Sequence, residues 1–133
     1  LGEIDQGSGL NDNLNEGSIF DLCQRYNVGV VGIRSHAAGA IVNMLDRTVN
    51  KEDSLYKMHQ NASELNVIAK KYDLSLAEMA LIFCIKNPNI TTTVPGVKNR
   101  QELIQAINCA NSSVEDGLVI EIAEWYKKKM IQD

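Results

Sequence analysis

The sequence predicts an α/β fold built on parallel strands. Three features carry this: helical and strand-like segments alternate along the chain, each strand-like run is β-branched without polar alternation, and the first helix meets its strand within two residues. Continuous apolar strands belong to sheets covered on both faces, and parallel strands need helical crossovers between them.

The elements follow in order. Residues 1–17 contain glycines and asparagines with only Leu1, Ile4, Leu10 and Leu14 as sizeable apolar side chains, so they are expected to form a loop or flexible N-terminal segment. Residues 18–133 are expected to hold the folded part. Ile19, Leu22, Cys23 and Tyr26 fall at i, i+3, i+4 and i+7 behind Ser18 as N-cap, which predicts a helix that Asn27 ends. Val28 to Ile33 is the first strand, expected to be covered on both faces. After a small-residue loop, Leu55, Met58, Ala62, Leu65, Ile68, Ala69 and Tyr72 mark one face of a long helix stopping near Asp73. Ser75 and Glu78 form a capping box for a mostly buried helix from Leu76 to Ile85. Ile90 to Val94 is the second strand, closed by Pro95-Gly96. Asn99, with Glu102 three residues on, opens a helix with the apolar face Leu103, Ile104, Ile107 and Ala110. A last helix starts after Ser112-Ser113, with Gly117 as a weak point and Lys127 to Lys129 solvated at its C-terminal end.

Composition narrows the function. With 44% hydrophobic and 23% charged residues, the 133-residue chain is globular, but a closed eight-stranded barrel of βα units needs about 250 residues. Thirteen Lys and Arg against 17 Asp and Glu give a net charge of −4, so nucleic acid is not an expected partner. No apolar run approaches the ~20 residues that span a bilayer, and the first ten residues are polar and Gly-rich where a secretory leader would be apolar. No membrane partner is expected, and the expected location is cytoplasmic. Cys23, Cys84 and Cys109 are widely spaced in apolar stretches, which suits buried free thiols rather than disulfides or a zinc site.

Ligands of α/β folds bind at the C-terminal ends of the strands, where two loops stand out. Arg34-Ser35-His36-Ala37-Ala38-Gly39-Ala40 is rich in small residues, which allows either close backbone approach to a ligand or close helix packing. Pro95-Gly96-Val97-Lys98-Asn99-Arg100 runs straight into a helix, so free N–H groups, the positive helix end and two cationic side chains would converge as in a phosphate site. A solvated helix start is the plainer alternative.

Residues 27–41 (NVGVVGIRSHAAGAI) and 90–110 (ITTTVPGVKNRQELIQAINCA), with Ser75 to Leu81 between them, resemble the C-terminal part of aldo-keto reductases in order and spacing. The resemblance runs from about Ser18 to about Tyr126. It implies the C-terminal portion of a (β/α)₈ TIM barrel, incomplete, with two core parallel strands and several helices. It also implies reversible hydride transfer between NADP(H) and a carbonyl or alcohol in the complete protein. Ala37, Ala38 and Gly39 match the pyrophosphate-cradling Ala-Ala-Gly element, preceded by Ser35-His36 in place of the usual Pro-Leu. Gly96 and Lys98 match positions near the adenosine 2′-phosphate, joined by Asn99 and Arg100. Glu102 stands where many members carry Gln or Arg, and Ala106 where many carry Asn against adenine. The implied cofactor site is therefore Ser35, Ala37, Ala38, Gly39, Gly96, Lys98, Asn99, Arg100 and Glu102.

The family's catalytic Asp, Tyr, Lys and His lie on early strands without counterparts here, so the resemblance implies no catalytic residue and no metal. His36 and His59 match no catalytic position; His59 reads as a surface or packing residue. Two strands lacking closing partners predict either a missing N-terminal barrel half or self-association. Two readings follow: the cofactor-binding part of an oxidoreductase, inactive alone, or a catalytically silent remnant acting as a binding or assembly module. The start without Met favours a fragment.

Overall fold

The computed structural model describes residues 19–45, 47–114 and 117–132; the expected loop over residues 1–17 and the expected cap Ser18 lie outside them. Helix α1 (Ile19–Arg25) ends where Asn27 takes a left-handed φ of 54°, a conformation that Asn tolerates better than most residues. Strand β1 (Val31–Ile33) pairs in parallel with β2 (Thr92–Val94), in the register Val31 to Thr92, Gly32 to Thr93 and Ile33 to Val94. Between them lie α2 (Ser54–Ser63), α3 (Asn66–Lys71) and α4 (Leu76–Ile85), and after β2 come α5 (Arg100–Ala110) and α6 (Gly117–Gln132).

The expected single helix over 55–72 is two helices. Asp53 caps α2 by accepting the Leu55 N–H at 2.8 Å, and near its far end Ser63 Oγ donates to the His59 carbonyl at 2.8 Å. Such back-bonding one turn upstream bends helices, and the chain breaks between Ser63 and Asn66. Asp73, at φ 55°, then ends α3 in the expected place.

Helix α4 is the centre of the fold. Leu76, Met79, Ala80, Leu81 and Ile82 are buried on it, joined in the core by Leu65, Ala69, Cys109, Leu118 and Ile122. It packs against α3, α5 and β2, while α3 also packs against α6. The Ser75–Glu78 capping box forms as expected, with Glu78 N–H donating to Ser75 Oγ and Ser75 N–H donating to the Glu78 carboxylate.

Two expectations about burial are overturned. The strands are short and their apolar side chains face outward: Val31 is 57%, Ile33 67% and Val94 56% exposed, because no further layer among the described residues lies over them. On α5 the anticipated inner face is also the outer one, with Leu103 47%, Ile104 46% and Ile107 51% exposed. Helix α5 instead meets the core through Ala106 and Cys109, whose small side chains allow close approach to α4. The lysine run is also not uniformly solvated, since Lys129 pairs with Glu64 and lies over the Trp125 ring. Among the described residues no helix is long and apolar enough to cross a membrane.

These burials set a stability order. Leu76→Ala removes a fully buried side chain and is expected to cost about 2–5 kcal/mol, whereas Ile104→Ala should cost under about 1 kcal/mol. Urea unfolding of the two variants checks this; equal losses would place Ile104 against a partner surface.

Candidate functional site

Both loops at the C-terminal ends of the strands face one cleft of about 510 Å³. Its walls include Arg34, Ser35, His36, Ala38 and Gly39 after β1, Gly96, Val97 and Lys98 after β2, Ala77, Glu78 and Leu81 of α4, and Glu102, Gln105, Ala106 and Cys109 of α5. Of the residues expected to bind a cofactor, Ser35, Ala38, Gly39, Gly96, Lys98 and Glu102 line this cleft; Ala37, Asn99 and Arg100 do not.

The first loop is conformationally strained. Arg34, Ala37 and Ala38 have φ of 57°, 47° and 56°, and Gly39 has 92°. Left-handed backbone costs about 1–2 kcal/mol for a residue with a Cβ, so something must hold it. Turn bonds do so in part: Ala37 N–H donates to the Arg34 carbonyl at 2.7 Å and Gly39 N–H to the His36 carbonyl at 2.9 Å. The two imidazoles complete it, with His36 Nε2–H donating to the Ala77 carbonyl at 3.2 Å and His59 Nδ1–H donating to the Ala40 carbonyl at 3.0 Å. His59 is thus a packing residue with a specific task.

Ser35 sits at the base of this loop. It is 8% exposed, and its Oγ is buried without a hydrogen-bond partner. A buried, unsatisfied hydroxyl is costly, and one in a cleft wall fits a ligand that brings a polar atom. The donor set suits an anionic, phosphate-bearing group, with Lys98, Arg34 and Arg47 on the same walls. Arg47 lies in a stretch with no readable period, and its guanidinium would be 3.5 Å from a Cβ placed on Gly39.

The second loop differs from its sequence reading. Asn99 Oδ1 accepts the Glu102 N–H at 2.9 Å as the N-cap, so this side chain is spent on the helix. The reciprocal bond of a capping box is shifted by one residue: Glu102 Oε2 accepts the Lys98 N–H at 2.7 Å. The helix start is therefore partly satisfied from within.

Opposite, Gln105 Nε2 donates to Ser75 Oγ at 3.5 Å, linking α5 to the α4 cap. Burial pushes the Glu78 carboxyl up, but hydrogen bonds from Ser75 and Gln105 outweigh it and hold the group below its ordinary value. Burial, reinforced by Glu78, pushes the Cys109 thiol up, and burial does the same for Cys84; all three cysteines are free thiols. Gln105 and Cys109 were not expected in the cleft wall because the apolar stripe of α5 was taken as its inward face, and Glu78 was expected only as the cap of α4. The i, i+3, i+4, i+7 spacing of Glu102, Gln105, Ala106 and Cys109 was the available signal. Among the described residues no three His, Cys, Asp or Glu side chains gather as a metal site.

Two parallel strands with helical crossovers, and a cleft at their C-terminal ends, are consistent with part of a TIM barrel. Residues 8–126 match the aldo/keto reductase family, and the chain belongs to that family, whose members are oxidoreductases that generally use nicotinamide cofactors. No curated protein matches the chain.

Because Glu78 is held below its ordinary value in the folded chain, it contributes stability that is present above that value and lost as pH falls through the lowered one. Glu78→Gln should therefore lower stability at neutral pH by about 0.5–1.5 kcal/mol, a deficit that shrinks through the acidic carboxylate range. Urea midpoints of both proteins across that range test the sign.

Proposed function

We propose that this chain is the C-terminal, cofactor-binding part of an NADP(H)-dependent oxidoreductase, working on carbonyl and alcohol substrates in the complete protein. The observation that carries it is the shared cleft, whose walls join both strand-end loops and include Ser35, a residue with a buried, unpartnered hydroxyl. Family membership supports a nicotinamide cofactor there. Once bound, that cofactor supplies the hydride exchanged with the substrate.

In this reading Ser35 and the left-handed turn through Ala37, Ala38 and Gly39 would hold the pyrophosphate, the turn letting the backbone come close to it. Lys98 provides positive charge toward a 2′-phosphate beside the α5 start, with Arg100 on the first turn adding to the field. The proton that a reduced carbonyl takes up comes from an acid outside this chain, so the chain alone does not turn over substrate. The free thiols support a reducing compartment, and we place the protein in the cytoplasm.

A specific observation also favours assembly. The outward Val31, Ile33 and Val94, more than half exposed, would each contribute about 1–2 kcal/mol if fully covered, and β1 and β2 each have one neighbour among the described residues. The occupant we propose is the N-terminal part of a barrel, or another copy of the chain in its absence; a silent assembly module would use the same face.

Calorimetric or NMR titration with NADPH and NADH tests the cofactor reading. Lys98→Ala should weaken NADPH more than NADH by about 1.5–3 kcal/mol, while Lys57→Ala on the exposed side of α2 changes neither, and no aldehyde is reduced. Equal effects on both cofactors, or turnover by the chain alone, would overturn it. Sedimentation tests the assembly face: the chain should associate with rising concentration, and Ile33→Glu should abolish this. A monomer at all concentrations would refute self-association.

A further inference from the structure

His36 bridges two walls of the cleft and lies outside the expected cofactor-binding set. Its backbone belongs to the loop after β1, where its carbonyl accepts the Gly39 N–H at 2.9 Å and the Ile41 N–H at 3.2 Å. Its ring crosses to the first turn of α4, where Nε2 lies 3.2 Å from the Ala77 carbonyl oxygen, and His36 and Ala77 both line the cleft. A carbonyl oxygen can only accept, so Nε2 carries a proton whatever the charge of the ring. In the neutral ring Nδ1 is therefore bare, and it is Nδ1 that takes up a second proton. The ring can become cationic without giving up the bond that holds the loop.

We infer that His36 is a proton-dependent anion-binding residue of the cleft, adding positive charge as pH falls and so tightening the hold on a ligand's phosphates. This rests on the reading that the cleft takes a nicotinamide dinucleotide. Charges of both signs share the walls: Arg34 and Arg47 come from the segment after β1, Glu78 from α4, Lys98 from the loop after β2 and Glu102 from α5, with the Cys109 thiol among them. The added charge on the ring is opposed by Arg34, Arg47 and Lys98 and favoured by Glu78 and Glu102. A phosphate brings further anionic charge to the same walls, which moves that balance toward the cationic ring. The coupling is mutual: if protonation favours the anion, the anion favours protonation, and binding draws a proton from solvent. His59 makes the contrast, since its Nδ1–H donates to the Ala40 carbonyl from α2 and it does not line the cleft.

The test is calorimetry of the whole chain with NAD⁺ and with NADP⁺, which survive mild acid, in buffers of different ionisation enthalpy so that proton uptake is read per bound ligand. His36→Gln keeps a donor nitrogen for the Ala77 carbonyl and cannot become cationic. Between about pH 8 and pH 5.5 the affinity of the unsubstituted chain should rise about three- to tenfold with uptake of a fraction of a proton, and His36→Gln should flatten both. The 2′-phosphate of NADP⁺ titrates in the same interval but contributes alike in both proteins, and NAD⁺ lacks it. His59→Asn, which keeps a donor nitrogen for the Ala40 carbonyl, should leave the uptake in place. Binding with the same pH dependence in His36→Gln, or with the dependence lost in His59→Asn instead, would overturn the role of His36 and leave the cofactor reading intact. Binding of neither dinucleotide by any of these proteins would overturn that reading, and the role of His36 with it.

Discussion

The start of α4 is the constraint on which the rest of the structure depends. Its first turn is capped by Ser75 and Glu78, and the same turn holds neighbouring segments. Asn43 Oδ1 accepts the Leu76 N–H at 3.0 Å, His36 donates to the Ala77 carbonyl, and Gln105 of α5 reaches Ser75 Oγ. One helix end thus fixes the loop after β1 and the helix after β2 relative to each other. Below it, Leu76, Met79 and Ile82 enter the core, so apolar burial anchors the polar junction.

That junction explains how a strained loop persists. Left-handed turns at Ala37 and Ala38 are unfavourable in isolation, and only surrounding contacts can keep them. The two histidines supply these from different directions, one from within the loop toward α4 and one from α2. The result is a cleft wall whose backbone is preset, so a ligand would not have to organise it.

The exposed apolar surface has another origin. In a barrel of βα units the helices lie outside the strands, and the inward side chains of neighbouring strands complete the core on the other face. Here α4 packs against β2, while Val31, Ile33 and Val94 are left more than half exposed. The apolar stripe of α5 is open for a similar reason. Family membership gives this openness a natural reading, because a TIM barrel packs strands and helices of successive βα units against each other.

What the sequence determined by itself was whatever local chemistry controls. The Ser75–Glu78 cap, the stops at Asn27 and Asp73, the buried character of 76–85 and the pairing of a β-branched run with a following small-residue loop were legible because each depends on side chains a few residues apart. The loops expected to form one binding region do line one cleft. Only the tertiary structure decided which face of α5 turns inward, since its apolar and small-residue faces are both contiguous stripes and the close fit to α4 selects the small one. It alone decided that Glu102 turns back to Lys98, that Arg47 reaches Gly39, and that the strands leave apolar side chains exposed. Each depends on what lies across space, and a linear pattern of apolar residues records that a face can be buried without recording whether anything is there to bury it.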